Sequence, residues 1–76
     1  MESHMVHSFK RSETEEIRTS LRTYKEKIYI DIRVFCKGEK GSDWIPTKKG
    51  VTVSSEFASD LHEGITRAKN ELSAKT

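Results

Sequence analysis

One cysteine, one proline and no long apolar run are the first features of this sequence. A single thiol, Cys36, closes no disulfide within the chain, which excludes the disulfide-stapled scaffolds of small secreted proteins and fits a reducing compartment. No stretch approaches the roughly eighteen apolar residues of a membrane-spanning helix, and no charged-then-apolar leader precedes a cleavage site. A soluble, intracellular protein without a membrane partner is expected, in the nucleus of a eukaryote or the cytoplasm and nucleoid of a bacterium. Metal and phosphate chemistry lack their signatures too. His4, His7, Cys36 and His62 show no ligand spacing, and Lys48-Lys49-Gly50 lacks the glycine frame of a phosphate-cradling loop. Cys36 has no histidine committed to it, and Glu15-Glu16 sit in a polar stretch where adjacent carboxylates imply solvation. The expectation is no enzyme, no catalytic residues, no metal and no cofactor.

What is present is small and highly charged. A chain of 76 residues holds one domain, and with 33% hydrophobic against 34% charged residues it builds a modest core. Such chains often complete their burial against a second copy. Residues 1–5 (MESHM) have the look of a cloning scar, and residues 6–16 carry two apolar members and no period. Residues 1–16 are therefore read as scar and flexible tail.

From Ile17 to Tyr24, Ile17, Leu21 and Tyr24 have helical spacing, yet alternation with Thr19 and Ser20 suits a strand, and periodicity alone does not decide. Lys27 to Cys36 is clearer. Ile28, Ile30, Ile32 and Val34 form an unbroken alternating set of mostly β-branched residues, the mark of a half-buried strand. If the preceding segment is also a strand, Lys25-Glu26 is a short hairpin turn, although neither residue favours positive φ. Lys37 to Asp43 reads as a loop bracketed by Gly38 and Gly41. Trp44 to Thr47 is an edge or bent piece because Pro46 donates no ladder hydrogen bond, and Gly50 to Val53 is a last short strand, with Gly50 permitting a turn after Lys49. Ser54 or Ser55 caps a helix in which Phe57, Leu61, Ile65, Ala68 and Leu72 recur on one face, a stripe expected to cover the sheet.

Charge is unevenly placed. Residues 17–49 hold nine Lys/Arg against four Asp/Glu, a net +5, whereas residues 1–16 carry −2 and residues 50–76 carry −1. On the face of the first two strands away from the core stand Arg18, Ser20, Arg22, Tyr24, Lys27, Tyr29, Arg33 and Phe35, cations alternating with aromatics. A single-stranded nucleic acid offers phosphates to the first and unstacked base faces to the second. Asp31, among these cations, reads as a local charge partner that tempers the patch. The helix, with Glu63 and Glu71 beside Arg67 and Lys69, is a poor reader of duplex.

The run Tyr24 to Arg33 (YKEKIYIDIR), the aromatic after it, a glycine-containing loop, Pro46 to Val53 (PTKKGVTV) and the amphipathic helix together resemble the C-terminal domain of the transcriptional positive cofactor 4 family. The resemblance covers about residues 17–72, leaving 73–76 as a frayed C-terminus. It implies an α+β fold: a curved four-stranded antiparallel sheet followed by one C-terminal amphipathic helix, in a homodimer paired through the helices. It also resolves residues 17–24 as a strand. The implied function is single-stranded-DNA binding with little sequence preference by a transcriptional coactivator or regulator, with transcription factors or RNA polymerase as further partners. A protein-interaction adaptor and an RNA-binding module are the alternatives. Tyr24 takes the place of a stacking aromatic, Lys25 and Lys27 of hairpin lysines, Arg33 of a strand arginine and Lys49 of the lysine before the fourth-strand glycine. With the charge pattern, the expected interface is Arg18, Arg22, Tyr24, Lys25, Lys27, Tyr29, Arg33, Phe35, Lys48 and Lys49. Cys36 stands where one branch of the family has a DNA-stacking Trp, so Phe35 or Trp44 must supply any substitute ring.

Overall fold

In the computed structural model, which describes residues 2–39 and 43–75, four strands form one antiparallel sheet in the order β1-β2-β3-β4. They are β1 (Glu2–Lys10), β2 (Glu15–Tyr24), β3 (Lys27–Lys37) and β4 (Trp44–Ser54); a 3-10 turn (Ser55–Phe57) then leads into α1 (Ala58–Lys75).

The central pair is β2 and β3. Ile17 stands opposite Val34, Thr19 opposite Ile32, Leu21 opposite Ile30 and Thr23 opposite Ile28, so their branched side chains share one face. Because side chains alternate strictly, Arg18, Ser20, Arg22 and Tyr24 share the other face with Arg33, Asp31, Tyr29 and Lys27, their respective partners. The hairpin closes through Lys25 and Glu26, both left-handed at φ 49° and 66°. Two consecutive positive φ values match the right-handed twist of the flanking strands, but neither residue is the Asn or Gly that adopts them freely.

Two parts of the architecture differ from the sequence expectation. Where a flexible tail was expected over residues 1–16, Glu2–Lys10 form β1, paired with β2 from Glu2 opposite Thr23 to Lys10 opposite Glu16. The stretch also contains most of the segment set aside as a scar. Its alternation is hidden because Val6 is an extra residue between Met5, opposite Ser20, and His7, opposite Thr19, and such a bulge resets the period of two. The connection to β2 is held locally. Arg11 and Ser12 backbone N–H groups donate to the Glu15 carbonyl at 2.9 and 3.2 Å, and the Thr14 N–H donates to the Ser12 hydroxyl at 3.2 Å.

The two short pieces expected at residues 44–47 and 50–53 are one strand, β4, with an insertion inside it. Arg33 lies opposite Gly50 and Phe35 opposite Pro46, so Thr47, Lys48 and Lys49 together face Val34. Thr47 organises this bulge: its hydroxyl donates to the Val34 carbonyl at 2.7 Å and accepts from the Lys49 N–H at 3.2 Å. Pro46 is tolerated because β4 is a sheet edge. Gly50 does not make a turn; it lets two backbones meet. A Cβ there would lie 2.6 Å from the Ile32 carbonyl oxygen and 2.9 Å from the Arg33 Cα.

The helix also departs from expectation, running to Lys75 without fraying at residue 73 and burying none of its residues. Ser54 precedes the 3-10 turn in an extended conformation, and its side chain makes no capping hydrogen bond. The turn packs on β3, but α1 then leaves the sheet, so the stripe expected to cover it stays open: Phe57, Ile65 and Leu72 are all more than half exposed. On the apolar sheet face Phe9, Leu21, Ile28, Ile45 and Val51 are likewise exposed, and Val34 is the buried hydrophobic residue among those described. One chain therefore presents two uncovered apolar surfaces, larger than the scattered apolar residues normal on a monomer.

Gly50→Ala is expected to destabilise the fold by about 1 to 3 kcal/mol, since the clash is with backbone that cannot rotate away. The urea unfolding midpoint at matched protein concentration measures it; a midpoint equal to that of the parent would refute the tight β3–β4 crossing.

Candidate nucleic-acid interface

The polar sheet face has three zones along β3. At the hairpin end Tyr24 is 47% exposed, directly opposite exposed Lys27, and the Lys25 Nζ lies 5.3 Å from the Tyr24 ring centroid. Beside it Arg22, Tyr24, Tyr29 and Thr52 line a hollow of about 240 Å³.

The middle zone is a charge network. Asp31 is only 4% exposed, although it lies on the polar face. Arg33 grips it with two nitrogens, Nη2 to Oδ1 at 2.9 Å and Nε to Oδ2 at 3.2 Å, and the Thr52 hydroxyl donates to Oδ1 at 2.6 Å. The remaining Arg33 nitrogen, Nη1, donates to the Thr47 carbonyl at 2.8 Å, within the β4 bulge. Burial pushes the Asp31 carboxyl up, but the hydrogen bonds from Arg33 and Thr52, with the charges of Arg33 and Arg22, outweigh it and hold the group below its ordinary pKa. Over this network lies a hollow of about 490 Å³, with Arg22, Phe35, Pro46 and Lys48 among its walls.

At the far end Arg18 is held by Glu16 at 2.8 Å and lies over the Phe35 ring, its Cζ 4.5 Å from the centroid. The Trp44 ring has Arg18 Cζ at 5.9 Å and Lys37 Nζ at 5.8 Å.

Eight of the ten expected interface residues thus share one surface: Arg18, Arg22, Tyr24, Lys27, Tyr29, Arg33, Phe35 and Lys48. Lys25 joins them from the hairpin tip. Two differ from the expectation, Arg33 in its partners and Lys49 in the side of the sheet it faces. The Arg33 guanidinium is spent on Asp31, Thr47 and Thr52, which makes it a clamp between β3 and β4 rather than a free cation. Lys49 lines a hollow on the apolar face with Ile17, Ile32 and Val51, because the bulge sends Lys48 and Lys49 to opposite sides. Sequence reasoning left out Lys37 and the threonines that tie β4 down. The alternation of Trp44 with Ile45 was the available signal: an insertion of two residues preserves parity, so Trp44 shares its face with Thr52 while Ile45 shares its face with Val51 and Val53. Cys36 faces the apolar side, opposite Ile45, with its Sγ 4.0 Å from a Glu15 carboxylate oxygen. Phe35 and Trp44 point the other way, towards the Tyr24 surface.

Among the described residues no group of three or more His, Cys, Asp or Glu side chains is placed to hold a metal ion, and no helix is long and apolar enough to cross a membrane.

The family profile of Transcriptional Coactivator p15 (PC4) matches residues 11–64, well over half of the chain. The chain belongs to the PC4 family. Solved structures agree with that membership. A PC4 homologue from Burkholderia pseudomallei, in its orthorhombic crystal form, is 28% identical with a TM-score of 0.82, over 91% of this chain and 92% of that one. Its tetragonal form gives 26% identity and the same TM-score, over 90% and 98%. A bacteriophage T5 homologue of the eukaryotic coactivator PC4, described as implicated in recombination-dependent DNA replication, shares the fold at 21% identity with a TM-score of 0.76, over 96% and 83%. A comparison with curated protein sequences finds no match. The family match takes in β2, β3 and β4 and starts just after β1.

A carboxyl whose pKa is lowered on folding adds stability that is complete above its unfolded value, near 3.9, and is lost as pH falls through the folded value. Asp31→Asn is therefore expected to lose about 1 to 3 kcal/mol at neutral pH, where Arg33 is left without its anion, and to show a shallower decline below about pH 4 than the parent. Thermal melts from pH 7 to pH 2 measure both; parallel curves for the two proteins would remove Asp31 from the acid limb.

Proposed function

We propose that this PC4-family chain is a non-enzymatic, intracellular, single-stranded-DNA-binding homodimer with little sequence preference, acting as a regulator of transcription on melted DNA. The observation that carries the reading is the run of exposed or half-exposed rings and cations along one face of β2 and β3, from Tyr24, Lys25 and Lys27 through Arg22 and Tyr29 to Lys48. Cations meet phosphates and ring faces meet bases, and stacking tolerates any base because every base has a π-face. Stacking and phosphate contacts favour no particular base, hence the low sequence preference. The hollow between Arg22, Tyr24 and Tyr29 has the dimensions and lining for an unstacked base beside its phosphate.

The homodimer follows from the two uncovered apolar surfaces. A second copy that packs its α1 stripe, Phe57, Leu61, Ile65, Ala68 and Leu72, against this one removes from water what a single chain leaves exposed. The polar faces stay outward in that arrangement, one on each subunit.

Binding is expected to weaken steeply with salt, with a log–log slope near −0.7 for each phosphate contacted. Tyr24→Ala should lower affinity for oligothymidine by about 5- to 100-fold, the worth of one stacked base. Lys25→Ala, Lys27→Ala and Lys48→Ala should each reduce the salt slope by about 0.7. Fluorescence anisotropy with single-stranded, duplex and RNA competitors is the experiment. A flat salt response would refute the reading, equal competition by RNA would widen it to single strands in general, and absence of DNA binding alongside capture of a transcription protein would favour an adaptor. The dimer has its own test: Ile65→Asp should convert a dimer to a monomer in sedimentation at micromolar concentration and lower the melting temperature.

A further inference from the structure

We infer that Trp44 is a second base-stacking platform of the same surface, at the opposite end of β3 from Tyr24, with Lys37 as its phosphate partner; this rests on the single-strand reading above. The two ends are built alike. At one, Tyr24 lies opposite Lys27 with Lys25 Nζ 5.3 Å from its ring. At the other, Trp44 lies opposite Lys37, whose Nζ is 5.8 Å from the indole. Among the described residues Lys37 forms no ion pair with a carboxylate, so its charge is available to a phosphate.

Phe35, the other ring at this end, is already covered. Arg18 lies on it at 4.5 Å and is itself fixed by Glu16 at 2.8 Å, whereas the same guanidinium is 5.9 Å from Trp44. A guanidinium at 4.5 Å is in contact with the Phe35 ring, whereas the two cations over Trp44 stand off at 5.8 and 5.9 Å, a spacing like that of Lys25 over Tyr24 at 5.3 Å. Trp44 is half-buried, with its indole seated at the sheet edge rather than in a core. Trp44 lies on the polar face, while Cys36 points to the apolar face.

The distance between the two platforms sets a length requirement. Lys27 and Lys37 are the ends of β3, ten steps of about 3.3 Å or roughly 33 Å. Four nucleotides at a stacked rise of about 3.4 Å span less than half of it, whereas ten span all of it.

Trp44 is the sole tryptophan of the chain, so its emission reports its own contact. Ten-residue oligothymidine is titrated against the full protein, followed by both indole fluorescence and the anisotropy of a labelled strand, and the affinities of four- and ten-residue strands are compared. The expected results are quenching of Trp44 in step with binding, and at least about a fivefold loss of affinity for the ten-residue strand in Trp44→Leu with much less for the four-residue strand. Trp44→Phe, which keeps a ring, should retain most of the affinity and guards against a folding defect in the leucine variant. Binding by anisotropy with unchanged indole emission, or equal affinity of the leucine variant for the longer strand, overturns the platform while leaving the single-strand reading intact. Failure of the parent protein to bind either strand removes both.

Discussion

A buried carboxylate on the solvent side of a sheet is the constraint around which this fold is arranged. Asp31 sits in the middle of β3 on the polar face, and a charge there is stable only if donors surround it. Arg33, two residues along the same strand, supplies a bidentate pair, Thr52 reaches in from β4, and the spare arm of Arg33 catches the carbonyl of Thr47. One ion pair thereby ties an edge strand to the centre of the sheet at two points on either side of Gly50. The irregular segment between those points carries Lys48. Removing the charge pair would free the element that presents a cation to the surface, so stability and interface geometry share one cause.

The two faces of the sheet answer different problems. Strict alternation in β2 and β3 collects Ile17, Leu21, Ile28, Ile30, Ile32 and Val34 on one side and cations with rings on the other. The apolar side is too large to leave in water and too poorly covered by the chain's own helix to be a finished core. The polar side is held apart from that problem, since nothing on it is needed for burial except Asp31 and Ser20. A small chain can thus keep half of its sheet polar and open only by leaving the other half without a cover of its own.

Much of this was legible in the residues. The alternation of Lys27 to Cys36 defined β3, the register of the apolar and polar faces followed from it, and the spacing from Phe57 to Leu72 defined the helix. The charge excess of residues 17–49 placed the cations on the sheet. The illegible strands share one physical origin, which is interruption of the period. Val6 breaks the alternation of β1 and made a strand resemble a tail; the insertion at Thr47 to Lys49 broke β4 into two apparent pieces. The side taken by Lys49 was hidden for the same reason, and the role of Arg33 by its partners on another strand. A strand arginine beside an aspartate of like parity reads as patch or as clamp, and only the approach of Thr47 and Thr52 from β4 decides it. The direction of the helix was invisible because an amphipathic stripe says that it is covered, not by which molecule.

The hairpin tip carries a trade that its backbone makes visible. Lys25 and Glu26 hold a left-handed conformation for which an Asn-Gly pair is far better suited, and each side chain there works against the turn it occupies. The loop has exchanged conformational ease for a cation beside Tyr24. Selection or design for heat resistance at these two positions, by Asn-Gly at the tip, would consequently remove the cation beside Tyr24.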